Sequence, residues 1–181
     1  MTTQPEKRLA YNAPHQVFYP TVFFFLLFIY IMLVSVPGKD GKHLRVPPYL
    51  LRMEAVIPTL PVDSTSRSLV ELGYEVCSFF EREIADHFFT LGLFIFRSRD
   101  NMMVVLILAF LIHCFEMGIA YRICRSCKAT LPVMALYLLG TALGGFTQVF
   151  ALQDARKAYL ETAVVQAKEE GEKTRVEKKN D

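Results

Sequence analysis

The chain has 181 residues, 52% of them hydrophobic, with a mean hydropathy of +0.29 and a net charge of +2. This is too apolar for an ordinary soluble domain of that length, because the charged residues gather in loops and a tail while two long stretches carry none. No basic stripe points to nucleic acid, and four cysteines (Cys77, Cys114, Cys124, Cys127) are too few and too scattered for a secreted disulfide framework.

Residues 1–16 form a polar N-terminal segment that leads into VFYPTVFFFLLFIYIMLVSV, 17–36, long enough at ~1.5 Å per residue to cross the hydrocarbon core as transmembrane helix 1. A cleaved signal peptide would have a shorter apolar core ending in small residues. Phe18 and Tyr19 lie where an interfacial aromatic belt would sit, and Pro20 falls in the first turn, where a missing N–H is harmless. Residues 37–67 read as a loop whose first part, 37–61, holds five prolines and no sustained periodicity.

The stretch DSTS at 63–66 offers helix N-caps, and an amphipathic helix is expected over 68–96. Leu69, Leu72, Val76, Phe80, Ile84 and Phe88 fall on one face, with Glu71, Glu75, Arg82 and Asp86 on the other. Only 88–96 is continuously apolar, too short to span, so this helix should lie in the interface or re-enter.

Transmembrane helix 2 is expected over 102–121 and transmembrane helix 3 over 131–152, joined by the short basic link RICRSCKAT into an antiparallel hairpin. The fold class is thus an all-α membrane protein with three transmembrane helices and one amphipathic helix. The tail, 153–181, is charged, with a helix expected to about Lys168 and fraying beyond Gly171. Lys178 and Lys179 stand fourth and third from the end, the arrangement of a dilysine retrieval signal, a receptor-read address. A cytosolic C-terminus with three crossings would put 37–101 in the cytosol, in agreement with a weak positive-inside bias.

Ionisable residues at membrane depth are costly and mark packing or binding sites. In helix 2, Ala109, His113, Glu116 and Ala120 are spaced four, three and four, one small-and-polar stripe. In helix 3, Tyr137, Thr141, Gly144 and Gln148 repeat that spacing, and Gly140 with Gly144 makes a GxxxG pair for close helix approach. If the seams face each other, Tyr137 donates to Glu116 and Thr141 meets His113. A neutral or hydrogen-bonded Glu116 would then close the hairpin without an unpaired charge.

Two functional readings compete with this structural one. His113 and Glu116, with Tyr137 and Gln148, could bind or isomerise a lipid or sterol by acid/base chemistry. His113 and Glu116 could also be half of a metal site, which would need Glu83, Asp86 or His87 to complete it. Cys124 and Cys127 form a lone CxxC without a second pair, so no zinc site is expected. Basic neighbours could lower a thiol pKa, or the pair could form a disulfide in an oxidising compartment. Cys77 and Cys114 read as packing residues, His15 and His43 as solvated.

The run LIHCFEMGIAYRICR, with His113, Glu116, Ala120, Cys124 and Arg125, followed by Tyr137, Thr141 and Gly145, resembles the small eukaryotic transmembrane protein 254 family over residues 102–152. In that family the position of Tyr137 is usually Trp, also a hydrogen-bond donor. This chain departs from it in having no Trp, Phe115 for Gly, Gly140 for Gln, a proline-rich loop and a charged tail. The resemblance implies a multi-span membrane protein and supplies no activity.

No nucleophile, phosphate loop or complete metal set is present to argue for an enzyme, and no cofactor is expected. The first expectation is therefore an accessory or scaffold subunit of the endoplasmic reticulum membrane that contacts protein partners through the loop 37–67 and the tail. The intramembrane lipid or sterol protein is the second, and an accessory subunit of a mitochondrial inner-membrane complex the third.

Overall fold

The computed structural model describes residues 8–62 and 64–180, the side chains of 166, 167 and 169–180 excepted. In chain order the helices are α1 (Phe18–Leu33), α2 (Pro48–Val56), α3 (Thr65–Phe79), α4 (Asp86–Phe96), α5 (Arg99–Ser126), α6 (Leu131–Gly144) and α7 (Phe146–Asn180). A 3-10 turn, Ile57–Thr59, follows α2, and a π-helix, Phe80–Ala85, joins α3 to α4. No strand forms among the described residues beyond one isolated bridge between Pro37 and Leu44, so the all-α class stands.

Among the described residues one helix is long and apolar enough to cross a membrane. It is α5, whose 28 residues rise about 42 Å against a hydrocarbon core of about 30 Å, with a mean hydropathy of 2.3 over its most apolar window. Most of its apolar side chains are uncovered, Phe110 at 62% and Phe115 at 72% exposure among them. Helices α1 and α6 are also apolar but have 16 and 14 residues.

The chain divides into two compact units, Leu26–Leu108 and a second made of residues up to Phe25 with Ala109 onward. In the first unit, the proline-rich stretch expected to be a loop contains α2. Pro48 opens that helix with Pro47 as its N-cap, where no N–H is needed, and Pro58 lies in the 3-10 turn that ends it, so PYLLRMEAV is free to coil. Before it, the chain reverses at Gly41, whose φ of +65° suits glycine, and closes through Gly38 N–H to His43 O (2.7 Å) and Arg45 N–H to Val36 O (2.8 Å).

Ser64 caps α3 by accepting from the Arg67 N–H at 3.2 Å, as the DSTS stretch predicts. The helical stretch then runs continuously through α3, the π-helix and α4. Leu69, Leu72 and Val76 lie exposed, while Glu81 is buried to 5% exposure. The π-helix is the cause: its Asp86 N–H to Glu81 O bond skips a residue and rotates the acidic side chain inward. There one Glu81 carboxylate oxygen accepts the hydroxyls of both Tyr30 and Tyr49. Burial beside that carboxylate raises the Tyr49 phenol well above its ordinary range. Asp86, one turn on, accepts from Leu44 N–H (2.6 Å) and His43 (2.8 Å).

The α4–α5 turn uses Arg97 at φ +65°, and Ser98 caps α5 by accepting from the Asn101 N–H at 3.2 Å. Gly92 leaves the space that the Met102 side chain fills, so α4 and α5 pack closely. Arg99 donates to the carbonyls of Met32 (3.1 Å) and Ser35 (3.3 Å), satisfying the C-terminal end of α1.

Candidate functional site

In the second unit, α5 ends at a turn closed by Ala129 N–H to Cys124 O (2.9 Å), with Lys128 in the left-handed region. Helix α6 starts at Leu131 and was expected to continue to 152. It stops instead at Gly144, where Gly145 takes φ +57° and ψ −134°. That conformation is open to glycine and strained for any other residue. Beyond it α7 turns back along α6: the Gln148 side chain fills the space that a Gly140 Cβ would take (2.9 Å), and Tyr137, Leu152 and Ala155 share one buried core. The stretch 131–152 is thus a hairpin of two helices, a correction to the single helix expected from its uncharged composition.

Breaking a helix severs its i to i+4 hydrogen bonds, and at Gly145 the bond lost is Phe146 N–H to Ala142 O. His113 takes up the carbonyl half, and Glu116 stands near the N–H half. The His113 Nδ1 lies 2.9 Å from Ala142 O, and since a carbonyl can only accept, that nitrogen carries the proton. The Glu116 carboxylate stands near the Phe146 N–H, at the positive end of α7. A third loose end, Gly144 O, accepts from the Thr147 hydroxyl at 2.6 Å. The fit requires Gly145, because a Cβ there would stand 2.8 Å from Glu116 Oε2 and 2.9 Å from His113 Nε2.

The other seam residues have different partners from those the spacing implies. The Tyr137 hydroxyl donates to Ala10 O (3.1 Å) and accepts from the Asn12 N–H (2.8 Å), so it ties down the N-terminal segment rather than Glu116. Thr141 donates back to Tyr137 O within its own helix (2.8 Å), not to His113. Tyr137, Thr141 and Gly144 do share a buried face of α6, whereas Gln148, on the far side of the break, does not continue it. Gly144 is packed against the Phe18 ring, and the Phe25 ring lies over His113 with centroids 4.4 Å apart. Ala120 is fully buried and Ala109 half-buried.

Two features escaped sequence reasoning. The segment from Leu9 to Asn12 is packed, with Leu9 in the core and its N–H donating to Cys127 O at 3.2 Å. The alternation of Leu9 and Tyr11 was its only signal, and it is short. The break itself could have been read from the adjacent glycines Gly144 and Gly145, of which only Gly144, paired with Gly140, is read above as a packing residue.

Cys124 and Cys127 are buried thiols of this core, with exposures of 0% and 2%. Among the described residues no group of three His, Cys, Asp or Glu side chains is placed to hold a metal. His15 pairs with Asp154 at 3.3 Å. The Lys178 and Lys179 side chains lie outside the described residues. Comparison with protein-family models, curated proteins and solved structures finds no match to the chain.

Proposed function

We propose that this chain is a non-enzymatic, multi-pass integral membrane protein of the endoplasmic reticulum, an accessory or scaffold subunit whose His113–Glu116 pair holds a broken helical hairpin. The observation that carries this reading is that His113 takes Ala142 O, a carbonyl freed at the Gly145 break, while Glu116 stands near the Phe146 N–H released there. In hydrocarbon an unpaired backbone group costs several kcal/mol, and non-helical backbone survives there only when protein covers it. On this reading both residues serve the backbone at the break.

On this reading α1 and α5 cross the bilayer, and the third apolar stretch re-enters instead of crossing. Helix α6 rises only about 21 Å with its 14 residues, and His113 sits at the middle of α5. The tail then leaves on the side of the basic link, so a cytosolic dilysine signal brings Arg122, Arg125 and Lys128 to the cytosol with Arg156 and Lys157 and, unlike the three-crossing arrangement, sends 37–98 with its own basic residues to the opposite side. The sequence resemblance to the transmembrane protein 254 family is compatible with this arrangement. The exposed faces of α3 and the tail are the surfaces offered to protein partners.

A second reading, an intramembrane lipid or sterol site, is favoured by one observation. Glu116 Oε2 and both polar atoms of the Gln148 amide are buried without hydrogen-bond partners among the described residues. Native mass spectrometry of the detergent-extracted chain separates the two readings. An adduct-free protein whose helical content and subunits survive Glu116→Gln supports the clamp, and a stoichiometric lipid or sterol lost in that variant overturns it. Replacing Lys178 and Lys179 with serine should disperse a reticular fluorescence pattern. Mitochondrial staining of the wild type would reject the reticulum in favour of an inner-membrane subunit.

A further inference from the structure

The thiols of Cys124 and Cys127 take no part in the clamp at Gly145, yet the N-terminal segment of the chain is tied to the turn that carries them. Leu9 donates its N–H to Cys127 O at 3.2 Å, and its side chain enters the core that holds both cysteines. The Tyr137 hydroxyl donates to Ala10 O (3.1 Å) and accepts from the Asn12 N–H (2.8 Å), and the Tyr11 and Tyr137 ring centroids lie 5.0 Å apart. Residues 9–12 thus form a strap held by one helix-end carbonyl and one phenol.

Both cysteines are free and buried. Cys124 stands in the last turn of α5 and Cys127 one residue past its end, but the Cys127 N–H still bonds Ile123 O (3.0 Å), so the pair keeps helical spacing. Side chains three residues apart on a helix have Cβ atoms about 5–6 Å apart, whereas a disulfide needs about 3.5–4.5 Å. The pair is therefore close enough to bridge, but only if Cys127 moves by on the order of 1 Å. The Leu9 to Cys127 hydrogen bond already stands at the long end of the normal range, so a displacement of that size at the Cys127 carbonyl breaks it.

We infer that Cys124 and Cys127 form a redox-sensitive latch for the N-terminal strap: the docked strap shields the two thiols, and their oxidation to a disulfide releases it. The oxidant is a low-molecular-weight disulfide such as glutathione disulfide. One cysteine thiolate attacks it and expels a glutathione thiolate, and the other cysteine then attacks the cysteine sulfur of the mixed disulfide and expels the second. One disulfide bond forms and one breaks. The two cysteines lose two electrons and two protons, and glutathione gains them as two thiols. The reaction waits on opening of the strap, because buried thiols are inert. In the cytosol, the side assigned to this link above, thiols are held reduced, so the docked strap is the resting form.

The test uses the full chain in mild detergent, carrying Cys77→Ala and Cys114→Ala so that this pair supplies its only thiols. Glutathione disulfide should remove two hydrogens from the intact mass and speed trypsin cleavage of the Arg8–Leu9 bond at least tenfold, and dithiothreitol should restore both mass and rate. Adding Cys127→Ala keeps the carbonyl that Leu9 needs but forbids the bridge, so cleavage should stay slow with or without the oxidant. Adding Tyr137→Phe removes both hydrogen bonds of the phenol while keeping its ring, so the disulfide should form at least tenfold faster. No loss of hydrogens in the parent or in Tyr137→Phe, or a glutathione adduct that never closes, would leave the pair as packing residues and overturn the inference. A disulfide that leaves cleavage after Arg8 unchanged would uncouple the pair from the strap and overturn it equally. His113 and Glu116 are untouched in every variant and the experiment does not depend on which side the link faces, so failure here leaves the proposed function standing.

Discussion

Two buried-side carboxylates organise the two units, and they solve the same problem by opposite means. Glu116 meets backbone: it stands at the N-terminus of α7, near a main-chain N–H that the Gly145 break has released. Glu81 meets side chains: a π-helix turns it inward, and two tyrosine hydroxyls share one of its oxygens. In the first case the acid serves an irregular backbone, whereas in the second an irregular backbone serves the acid. The contrast predicts which kind of substitution each region resists.

The largest effect belongs to Gly145→Val. A β-branched residue at φ +57° is strained by about 1–3 kcal/mol, and crowding Glu116 and His113 adds a similar overpacking cost. A loss of about 2–6 kcal/mol should appear as aggregation or a collapsed melting transition in size-exclusion chromatography of the detergent-solubilised chain. Gly118→Ala is the matching control: a Cβ there meets open space. If the two variants behave alike, the clamp is not under the constraint described.

Next comes Glu81→Ala, which strands two phenol hydroxyls at about 1–3 kcal/mol each. Denaturant titration should show a loss of about 2–5 kcal/mol, largely restored in Glu81→Gln, whose carbonyl still accepts from both. A double-mutant cycle with Tyr49→Phe should give clear coupling. Additive losses would mean that the two residues stabilise the unit independently.

How far these regions were legible follows from their surroundings. His113 and Glu116 stand alone in LILAFLIHCFEMGIAY, so hydropathy alone marks them, and their spacing puts them on one stripe. Their partners were not legible, because the register was extrapolated from one continuous helix over 131–152 and a glycine with a special dihedral ended it. Glu81 was hidden among like residues in FEREIAD, and a 3.6-residue period assigns it to solvent. A π-turn changes that period by one residue, and no local signal announces it. In the same way α2 was masked by prolines that permit a helix at its first turn as readily as they forbid one in its interior.

Glu116 itself should tolerate more than Glu81 does. In Glu116→Gln a side-chain carbonyl still faces the Phe146 N–H, and only the charge–dipole attraction at α7, about 0.3–1 kcal/mol, is lost. Glu116→Ala leaves that N–H unpaired and should cost about 1–3 kcal/mol. Melting temperatures that order wild type, Gln and Ala in that sequence support the clamp, whereas equal loss in both variants would transfer the weight to the negative charge.

The smallest effect is a pH dependence in the Leu26–Leu108 unit. The hydrogen bond from His43 to Asp86, with the carboxylate's charge, raises the imidazole pKa above its ordinary value, and the pair is solvent-exposed. A raised folded-state pKa means that protonation favours the fold. The contribution is complete below the unfolded histidine value of about 6.5 and disappears as pH rises through the higher folded value. NMR titration of the His43 ring should therefore give a midpoint above that of a free histidine, and Asp86→Asn should return it towards the ordinary value. The same substitution keeps an acceptor for the Leu44 N–H, so the turn should persist while its pH dependence goes. An unchanged midpoint in Asp86→Asn would assign the shift to Asp40, the other carboxylate facing His43.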